Sequence, residues 1–284
     1  MRIPPALVPL VEDGLVDTVI RQLQSGKEAS VYIVGCGDEW RCAKVYKSAE
    51  HRSFQRVAAY REGRKSRGSR DSRAARGRSR RGIAVQESQW KNAEAEALER
   101  LSAAGVRVPQ SHGVHEGVLL MELVQDADGN PAPRLNEAQM SPAQAREWHA
   151  FMIDQIVRML CAGLVHGDLS EFNVLLGPLG PVVIDLPQAV DAANNNNAYA
   201  MLERDVANMR VTFARAAPEL LQTDFAPEMW ALYQNGKLRP DSVLDGRPAR
   251  DETPADVRAV LMQIEEARKE ALARELGREA AKSA

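Results

Sequence analysis

One stretch constrains this chain more than any other. It reads LVHGDLSEFNVLLGPLGPVVID and spans residues 164–185. Two short apolar runs, Val174–Leu176 and Val182–Ile184, are separated by a segment rich in glycine and proline. Runs of this length and composition, joined by turn residues, predict a hairpin of two buried strands. The polar residues at its two ends should therefore lie close together.

The residues that flank the hairpin are suited to holding a cation. His166, Asp168 and Asn173 precede its first strand, and Asp185 follows its second. Carboxylate and amide oxygens suit magnesium, or manganese in its place, a hard ion that also binds water and phosphate oxygens. An isolated Asp before a strand usually makes a turn or a helix cap. Here the spacing H-x-D-x4-N, followed about twelve residues later by an Asp after an apolar strand, matches a kinase catalytic loop and its metal carboxylate.

A phosphate-binding turn and a buried lysine are predicted upstream. Ser25, Gly26, Lys27 and Glu28 form a turn before a β-branched strand, where backbone N–H groups could cover phosphates. The turn has a single glycine and lacks the G-x-G-x-x-G pattern. Lys44 lies within the next apolar strand, where its charge needs a partner. One strand after the turn, it matches the lysine that grips the nucleotide phosphates in kinases.

A helix over residues 89–104 should supply the partner of that lysine. Alanine, glutamate and leucine dominate this segment, and Gly105 ends it. Glu94 lies on or beside the apolar face and is well placed to pair with Lys44. Glu96 is the alternative, although its angle puts it nearer to solvent.

Two strands and a linker follow the helix. Residues 106–124 read as strands broken by glycines, and the polar linker Gln125–Pro133 is interpreted as a hinge between two lobes. An adenine bound at this hinge would meet backbone groups near Glu122 and Val124.

The charge of the chain is unevenly distributed. The net charge is −2, yet the basic segment Arg61–Arg81 carries ten Lys or Arg against two acids, or +8, which leaves −10 for the rest. We interpret residues 51–85 as a flexible basic insertion. Its charge could attach RNA or a ribosomal particle, although a merely solvated segment is an equal alternative. Sequence-specific base recognition is disfavoured because no aromatic residue interleaves these arginines.

The remaining segments are predicted to be largely helical. Residues 1–23 repeat apolar residues near the helical period and should form an N-terminal helical or mixed segment. Helices are expected over residues 141–163 and 199–214, with Asp205 capping or bracing the catalytic loop. Residues 251–284 form a charged helical tail.

The ends and cysteines of the chain indicate a cytoplasmic protein. The N-terminus lacks a signal-peptide pattern and no apolar run is long enough to span a membrane, so we expect no membrane contact. Three cysteines without a CxxC pair indicate reduced thiols.

Five motifs together resemble the RIO family of atypical serine/threonine protein kinases, closest to its type 1 branch and to a prokaryotic form. They are SGKEASVY, CAKVYK, WKNAEAEAL, LVHGDLSEFNVLL and VVIDLPQAV, and the resemblance covers roughly residues 20–215. It implies an α+β, two-lobed kinase fold with a small β-rich N-lobe in residues 1–124 and a mostly helical C-lobe in residues 125–250. It also implies that the activation loop and peptide-binding helices are missing, in line with the absent D-F-G and A-P-E motifs.

The resemblance also implies residue roles. Asp168 would be the catalytic aspartate, Asn173 and Asp185 would hold magnesium, and Lys44 would grip ATP phosphates while paired to Glu94. Other implied nucleotide contacts, besides the backbone near Glu122 and Val124, are Ser25, Gly26, Lys27 and Glu28 over the triphosphate, and Val31, Cys42, Met121 and Leu175 around the adenine.

Two other functions remain open. The first is a small-molecule phosphotransferase of the aminoglycoside or choline kinase type, disfavoured because little chain remains after Asp185 for a substrate subdomain. The second is an ATPase switch that acts as a ribosome-assembly factor. In some family members the aspartate equivalent to Asp185 is thought to accept phosphate, which would give such a cycle.

Overall fold

The first half of the chain builds an antiparallel sheet. In the computed structural model, which describes residues 3–26, 29–47 and 80–247 (backbone only for 80–91), this sheet has five strands in the order β1-β2-β3-β5-β4. The strands are β1 Thr18–Ser25, β2 Ala29–Cys36, β3 Glu39–Tyr46, β4 Ser111–His115 and β5 Val118–Glu122. This is the β-rich N-lobe that the sequence predicts.

The register of the sheet decides which side chains share its inner face. Val31 stands opposite Lys44 and Ile33 opposite Cys42 across β2 and β3. Cys42 in turn stands opposite Met121 across β3 and β5. Residues directly opposite each other in an antiparallel pair project to the same side of the sheet. The inner face of the sheet therefore gathers a lysine, a cysteine and several apolar side chains.

The N-terminal segment covers the outer face of the sheet. A 3-10 helix, Pro5–Leu7, continues into the short helix α1, Val8–Glu12. The buried cluster on this face consists of Leu7, Leu10, Val16, Val34, Ala43, Val118 and Leu120. The segment predicted to be helical or mixed is mixed, because its helical part ends at Glu12 and β1 begins at Thr18. Apolar side chains at Val19 and Leu23 fit a helical repeat as well as they fit a half-exposed edge strand, so periodicity alone could not decide.

A long helix lies between the predicted basic insertion and β4 in the chain. Helix α2, Arg80–Ala103, ends as predicted before Gly105, whose φ of +74° suits glycine. It begins earlier than predicted, so residues 80–85 of the predicted flexible insertion are helical. The rest of that insertion lies outside the described residues, as does the predicted tail over residues 251–284.

The second half of the chain is mostly helical, as predicted. Ser141 caps helix α3 by accepting the Gln144 N–H at 3.3 Å. The elements are α3 Pro142–Cys161, β6 Leu164–Val165, β7 Val174–Gly177, β8 Gly180–Val183, β9 Val190–Asp191, α4 Ala198–Ala214, a 3-10 helix Pro218–Gln222 and α5 Ala226–Gln234. Strands β7 and β8 pair with each other as the predicted hairpin. Among the described residues, no helix is both long and apolar enough to cross a bilayer.

Arg107 ties the sheet to the helical lobe. Its guanidinium pairs with Glu122 at the end of β5 at 2.9 Å. Its backbone N–H donates to Gln155 of α3 at 2.7 Å, and its carbonyl accepts the Val183 N–H of β8 at 2.9 Å. The sheet and the helical lobe are therefore joined by hydrogen bonds through Arg107. The division of the lobes into residues 1–124 and 125–250 stays a prediction.

The packing of α1 predicts an effect on stability. Leu10 is fully buried against the outer face of the sheet, whereas Val8 on the same helix is 36% exposed. Leu10→Ala should lower the free energy of unfolding by about 2–4 kcal/mol through lost burial and a residual cavity. Val8→Ala is the matched control and should change it by less than about 0.5 kcal/mol. Urea unfolding measures both, and equal effects would show that α1 does not contribute to the core.

A buried histidine in α3 predicts a pH dependence of stability. His149 is 3% exposed, lies 5.9 Å from the rings of Phe213 and Phe225, and its Nε2 has no hydrogen-bond partner among the described residues. Burial, assisted by the charge of Arg210, lowers its pKa from 6.5 to about 4. Protonation is therefore easier in the unfolded chain, so the stabilising effect of the neutral ring is complete above pH 6.5 and is lost as the pH falls towards 4.

The stability loss attributable to His149 between pH 7 and pH 5 should be about 2 kcal/mol. His149→Phe should remove that part of the pH dependence, as measured by urea unfolding at both pH values. An unchanged pH dependence in the variant would assign it to other groups.

Candidate active site

Lys44 is the centre of the candidate site. It projects from β3 and is 7% exposed, and its Nζ lies 2.7 Å from Glu94 Oε1 and 2.7 Å from Asp185 Oδ1. Burial alone would lower the pKa of Lys44, but the two carboxylates raise it well above its usual value. The lysine is therefore charged and fixed between both lobes.

Glu94, not Glu96, is the helix partner of the lysine. Glu94 is 2% exposed on α2, whereas Glu96 is exposed to solvent. The second carboxylate oxygen of Glu94 accepts the Tyr46 hydroxyl at 2.7 Å. The Tyr46 ring centroid also lies 5.7 Å from Lys44 Nζ. Sequence reasoning missed Tyr46, although strand alternation puts positions 44 and 46 on the same face.

Asp185 leaves the hairpin in an unusual backbone conformation. Its φ is +67°, in the left-handed region that residues other than glycine rarely adopt. Both backbone groups of the preceding residue are held, since the Ile184 N–H donates to the Asn173 carbonyl at 3.0 Å and the Ile184 carbonyl lies 3.1 Å from His166 Nε2. Burial would raise the pKa of Asp185, but the Lys44 ammonium holds it below its usual range. The carboxylate is thus ionised, and the backbone conformation of Asp185 sets the direction of its side chain.

Helix α4 braces the loop of residues 166–173. Asp205 is buried and accepts the N–H groups of Gly167 at 2.8 Å and Leu169 at 2.9 Å. Arg204 donates to the Gly167 carbonyl, and Asn208 donates to the Leu169 carbonyl at 2.8 Å. The predicted bracing role of Asp205 is confirmed. The parts played by Arg204 and Asn208 were missed, because nothing in their helix pattern indicates a partner outside the helix.

The Asp205 carboxyl also carries a shifted pKa. Burial raises the pKa of Asp205 to about 6, against the opposing effects of the His166 charge and of the two N–H groups that it accepts. A buried carboxyl that accepts the N–H groups of Gly167 and Leu169, on either side of Asp168, fits a structural role better than a chemical one.

Asp168 and Asn173 lie together in the braced loop. Both are half-buried, and Asn173 Nδ2 donates to the Asp168 carbonyl at 2.9 Å. This hydrogen bond uses the amide nitrogen and leaves the amide oxygen as the Asn173 group for a cation. With Asp185, the loop offers the oxygen ligands that magnesium prefers.

The donor set also limits how magnesium could be held. Among the described residues, no group of three His, Cys, Asp or Glu side chains could hold a metal alone. The residues present fit an ion that shares its coordination with phosphate oxygens and water.

The predicted phosphate turn is held by a second lysine. The Gly26 N–H donates to the Ala29 carbonyl at 2.8 Å, which closes the turn. Lys47, at the end of β3, donates to the Gly26 carbonyl at 2.6 Å and to Ser25 Oγ at 3.2 Å. Lys27 and Glu28 lie outside the described residues. Lys47 was not predicted, although it lies three residues after Lys44 on the strand that leads to the same end of the sheet.

Three of the four side chains predicted to contact adenine lie together on the inner face of the sheet, and their contact with adenine stays a prediction. Val31, Cys42 and Met121 pack with Ile33 and Leu123 in one small cluster. Sequence reasoning missed the last two of these residues. Burial raises the pKa of Cys42 to about 12, with a further contribution from the Glu122 carboxylate, so the thiol stays protonated.

The remaining predicted adenine contacts are not members of this cluster. Leu175 comes from the other lobe, in β7, and is half-buried. The Glu122 side chain is engaged by Arg107, and the Val124 carbonyl accepts the Ala132 N–H at 2.9 Å. Their backbone contacts to adenine therefore stay predictions.

Taken together, the fold and site have the arrangement of a protein kinase. A five-stranded sheet with a buried Lys–Glu pair is joined by a short linker to a helical lobe that carries an H-G-D loop and a strand-end aspartate. The molecule is of the protein-kinase-like class, α+β and two-lobed.

Comparison with known proteins identifies the family. The RIO domain model matches residues 30–226. The RIO-type serine/threonine-protein kinase Rio1 of Haloferax volcanii is 36% identical over 211 residues, a match covering 74% of this chain and 68% of that protein. The serine/threonine-protein kinase RIO1 of Homo sapiens is 30% identical, over 74% of this chain and 35% of the human protein. The chain belongs to the RIO family, and its named relatives support an ATP-dependent, atypical serine/threonine kinase.

Solved structures agree on the fold. The Rio2 kinase from Chaetomium thermophilum superposes with a TM-score of 0.59 at 22% identity, covering 92% of this chain and 76% of that chain. The same kinase in an ADP/Mg²⁺-phosphoaspartate complex gives a TM-score of 0.52 at 23% identity, with 74% and 59% coverage.

The Tyr46–Glu94 hydrogen bond predicts a stability effect. Tyr46→Phe would leave a buried carboxylate oxygen without that donor, and should lower the free energy of unfolding by about 1–3 kcal/mol. Tyr32→Phe is the control, since Tyr32 is a half-buried tyrosine of β2 that packs on the outer face. Thermal and urea unfolding measure both variants. Equal losses in the two variants would mean that the hydroxyl of Tyr46 contributes nothing specific.

Proposed function

We propose that this chain transfers the γ-phosphate of ATP, with magnesium, to a serine or threonine of a protein substrate. The observation that carries the proposal is the position of Lys44 Nζ, 2.7 Å from a carboxylate of each lobe. A buried lysine so fixed presents its charge where a nucleotide phosphate would lie between the lobes. The position of Glu94 supports its role in holding that lysine.

Asp168 is proposed as the catalytic carboxylate. It lies in the loop that α4 fixes through Gly167 and Leu169 on either side of it. A carboxylate in this position would orient the acceptor hydroxyl and take its proton as the phosphoryl group transfers. The bracing supports this role, because catalysis by positioning requires a loop that does not move.

Asn173 and Asp185 are proposed to hold magnesium. When bound, the ion supplies charge neutralisation for the phosphate oxygens. Asp185 is 44% exposed at its side chain, in contrast to the buried Glu94, so it faces the cleft while still contacting Lys44.

The nucleotide is proposed to lie between the turn and the apolar cluster. Ser25, Gly26, Lys27 and Glu28 would cover its phosphates. Val31, Cys42, Met121 and Leu175 would contact the adenine, with backbone groups of Glu122 and Val124 at its edge. The gathering of Val31, Cys42 and Met121 in one cluster supports this placement.

A second candidate is an ATPase in which Asp185 itself accepts the phosphoryl group. ADP would leave as an Asp185 oxygen bonds to phosphorus, and water would then release inorganic phosphate. The exposure of the Asp185 side chain favours this alternative, and the Rio2 kinase of Chaetomium thermophilum has been solved as a phosphoaspartate complex with ADP and Mg²⁺. The chain would then act as a switch, for instance on a ribosomal particle.

The proposed partners are a protein substrate and, through the basic segment, RNA or a ribosomal particle. The kinase names of the relatives point to a protein substrate, whose identity stays open. Attachment to RNA or a ribosomal particle through Arg61–Arg81 rests on charge alone, since most of that segment lies outside the described residues. A cytoplasmic location is proposed from the reduced cysteines and the sequence pattern.

Transfer of labelled γ-phosphate tests the function. The wild type should label itself or a generic protein acceptor with Mg-ATP, and Asp168→Asn should reduce labelling by about a hundredfold or more. Asp185→Asn, which removes a proposed magnesium ligand, should abolish the magnesium-dependent labelling. The control Asp154→Asn, which removes a surface carboxylate paired with Arg158 on α3, should retain activity.

The products separate the two candidates. Phosphate released to water without stable protein label would favour the ATPase switch. Absence of both nucleotide binding and magnesium-dependent turnover would contradict the proposed function.

A further inference from the structure

Arg134 is an arginine of the helical lobe that reaches across the cleft. Its guanidinium donates to the side-chain oxygen of Gln24 in β1. Gln24 stands directly opposite Val31 in the β1–β2 register and is followed by the Ser25–Gly26 turn. The arginine therefore ends beside the turn proposed to cover phosphates, on the face of the sheet that bears the proposed adenine wall.

The backbone of Arg134 is anchored to the floor of the same cleft. Arg134 and Leu175 form an antiparallel bridge, and the Leu176 N–H donates to the Pro133 carbonyl at 2.9 Å. The Arg134 N–H also contacts Glu137 Oε2 at 3.2 Å. A backbone fixed to β7 limits the positions that the side chain can take. The guanidinium therefore starts from a fixed backbone of the helical lobe and ends at Gln24 of the sheet.

A further positive charge in the cleft would favour the binding of a polyphosphate. Lys44 faces two carboxylates, so the group formed by Lys44, Glu94 and Asp185 carries a net negative charge. Lys47 is already engaged by the turn. A polyphosphate entering beside these acids would be repelled unless further positive charge lay nearby. The charge of Arg134 is felt in the cleft, where it contributes with Lys44 and His166 to lowering the pKa of Asp185 against the effect of burial.

We propose that Arg134 is a nucleotide-binding residue whose guanidinium exchanges the Gln24 oxygen for phosphate oxygens of the bound ATP or ADP. This inference rests on the proposed function. The Gln24 contact is exposed and its acceptor is neutral. A phosphate oxygen is a stronger, charged acceptor and matches the planar fork of an arginine. Arg134 thereby joins the helical lobe to the phosphates that the sheet covers from the other side.

Binding of a nucleotide series tests the role of Arg134. Calorimetry would compare ATP, ADP and adenosine, with magnesium, for the wild type and Arg134→Gln. The variant should bind ATP and ADP about tenfold more weakly, as expected for one lost charge-assisted contact, and adenosine within about twofold of the wild type. Arg134→Lys keeps the charge without the fork and should recover part of the ATP affinity.

Two controls separate a phosphate contact from a structural one. Gln24→Ala removes the present partner but keeps the arginine, so ATP should bind as tightly as to the wild type or tighter. Arg146→Gln removes a surface arginine of α3 that pairs with Glu219, and should leave the whole series unchanged.

Three results would overturn the proposal. They are an equal loss of ATP and adenosine affinity in Arg134→Gln, no loss at all, or the same loss in Gln24→Ala, which would make Arg134 a clamp acting through Gln24. A wild type that binds none of the three nucleotides would instead contradict the proposed function itself.

Discussion

The structure depends on one buried charge. Lys44 enters the interior between the sheet and the helical lobe, where an ammonium group without partners would be strongly disfavoured. Its partners come from positions 50 and 141 residues further along the chain. A single ion triad therefore requires that α2 be docked, that the β7–β8 hairpin be formed and that the lobes be in register. Removing either carboxylate would leave the buried charge of Lys44 with one partner and poorly compensated.

The two acidic residues that pair with Lys44 are themselves held in place by further hydrogen bonds. Tyr46 donates to the second oxygen of Glu94, and the backbone N–H and carbonyl of Ile184, the residue before Asp185, are held by Asn173 and His166. A fully paired polar network in a protein interior is more rigid than its separate pairs, because each group limits the others. These hydrogen bonds fix the side chains of the site before any ligand binds. The exposed part of the Asp185 carboxylate remains available to ligands.

Much of this arrangement could be predicted from the sequence, for reasons that differ between residues. The hairpin, Lys44 and Glu94 follow from local patterns: apolar runs bounded by turns, a lysine within a strand, and an acid on a helix face. Tyr46 could have been found from strand alternation. The strand β1 could not, since a half-exposed edge strand and an amphipathic helix share its residue pattern. Arg134 was out of reach, because a linker arginine carries no local sign of the lobe it contacts.

The brace from α4 has a consequence for how this loop can change over generations. Arg204, Asp205 and Asn208 hold the loop through its peptide N–H and carbonyl groups. Every residue except proline carries both of these peptide groups. Substitutions at loop positions that need no special φ can therefore change the side chains of the loop while the path of the chain is retained. The residues that fix the backbone of the loop lie in a helix some 36–39 residues further along the chain. The geometry of the loop and the chemistry of its side chains are therefore encoded in different segments and can change separately.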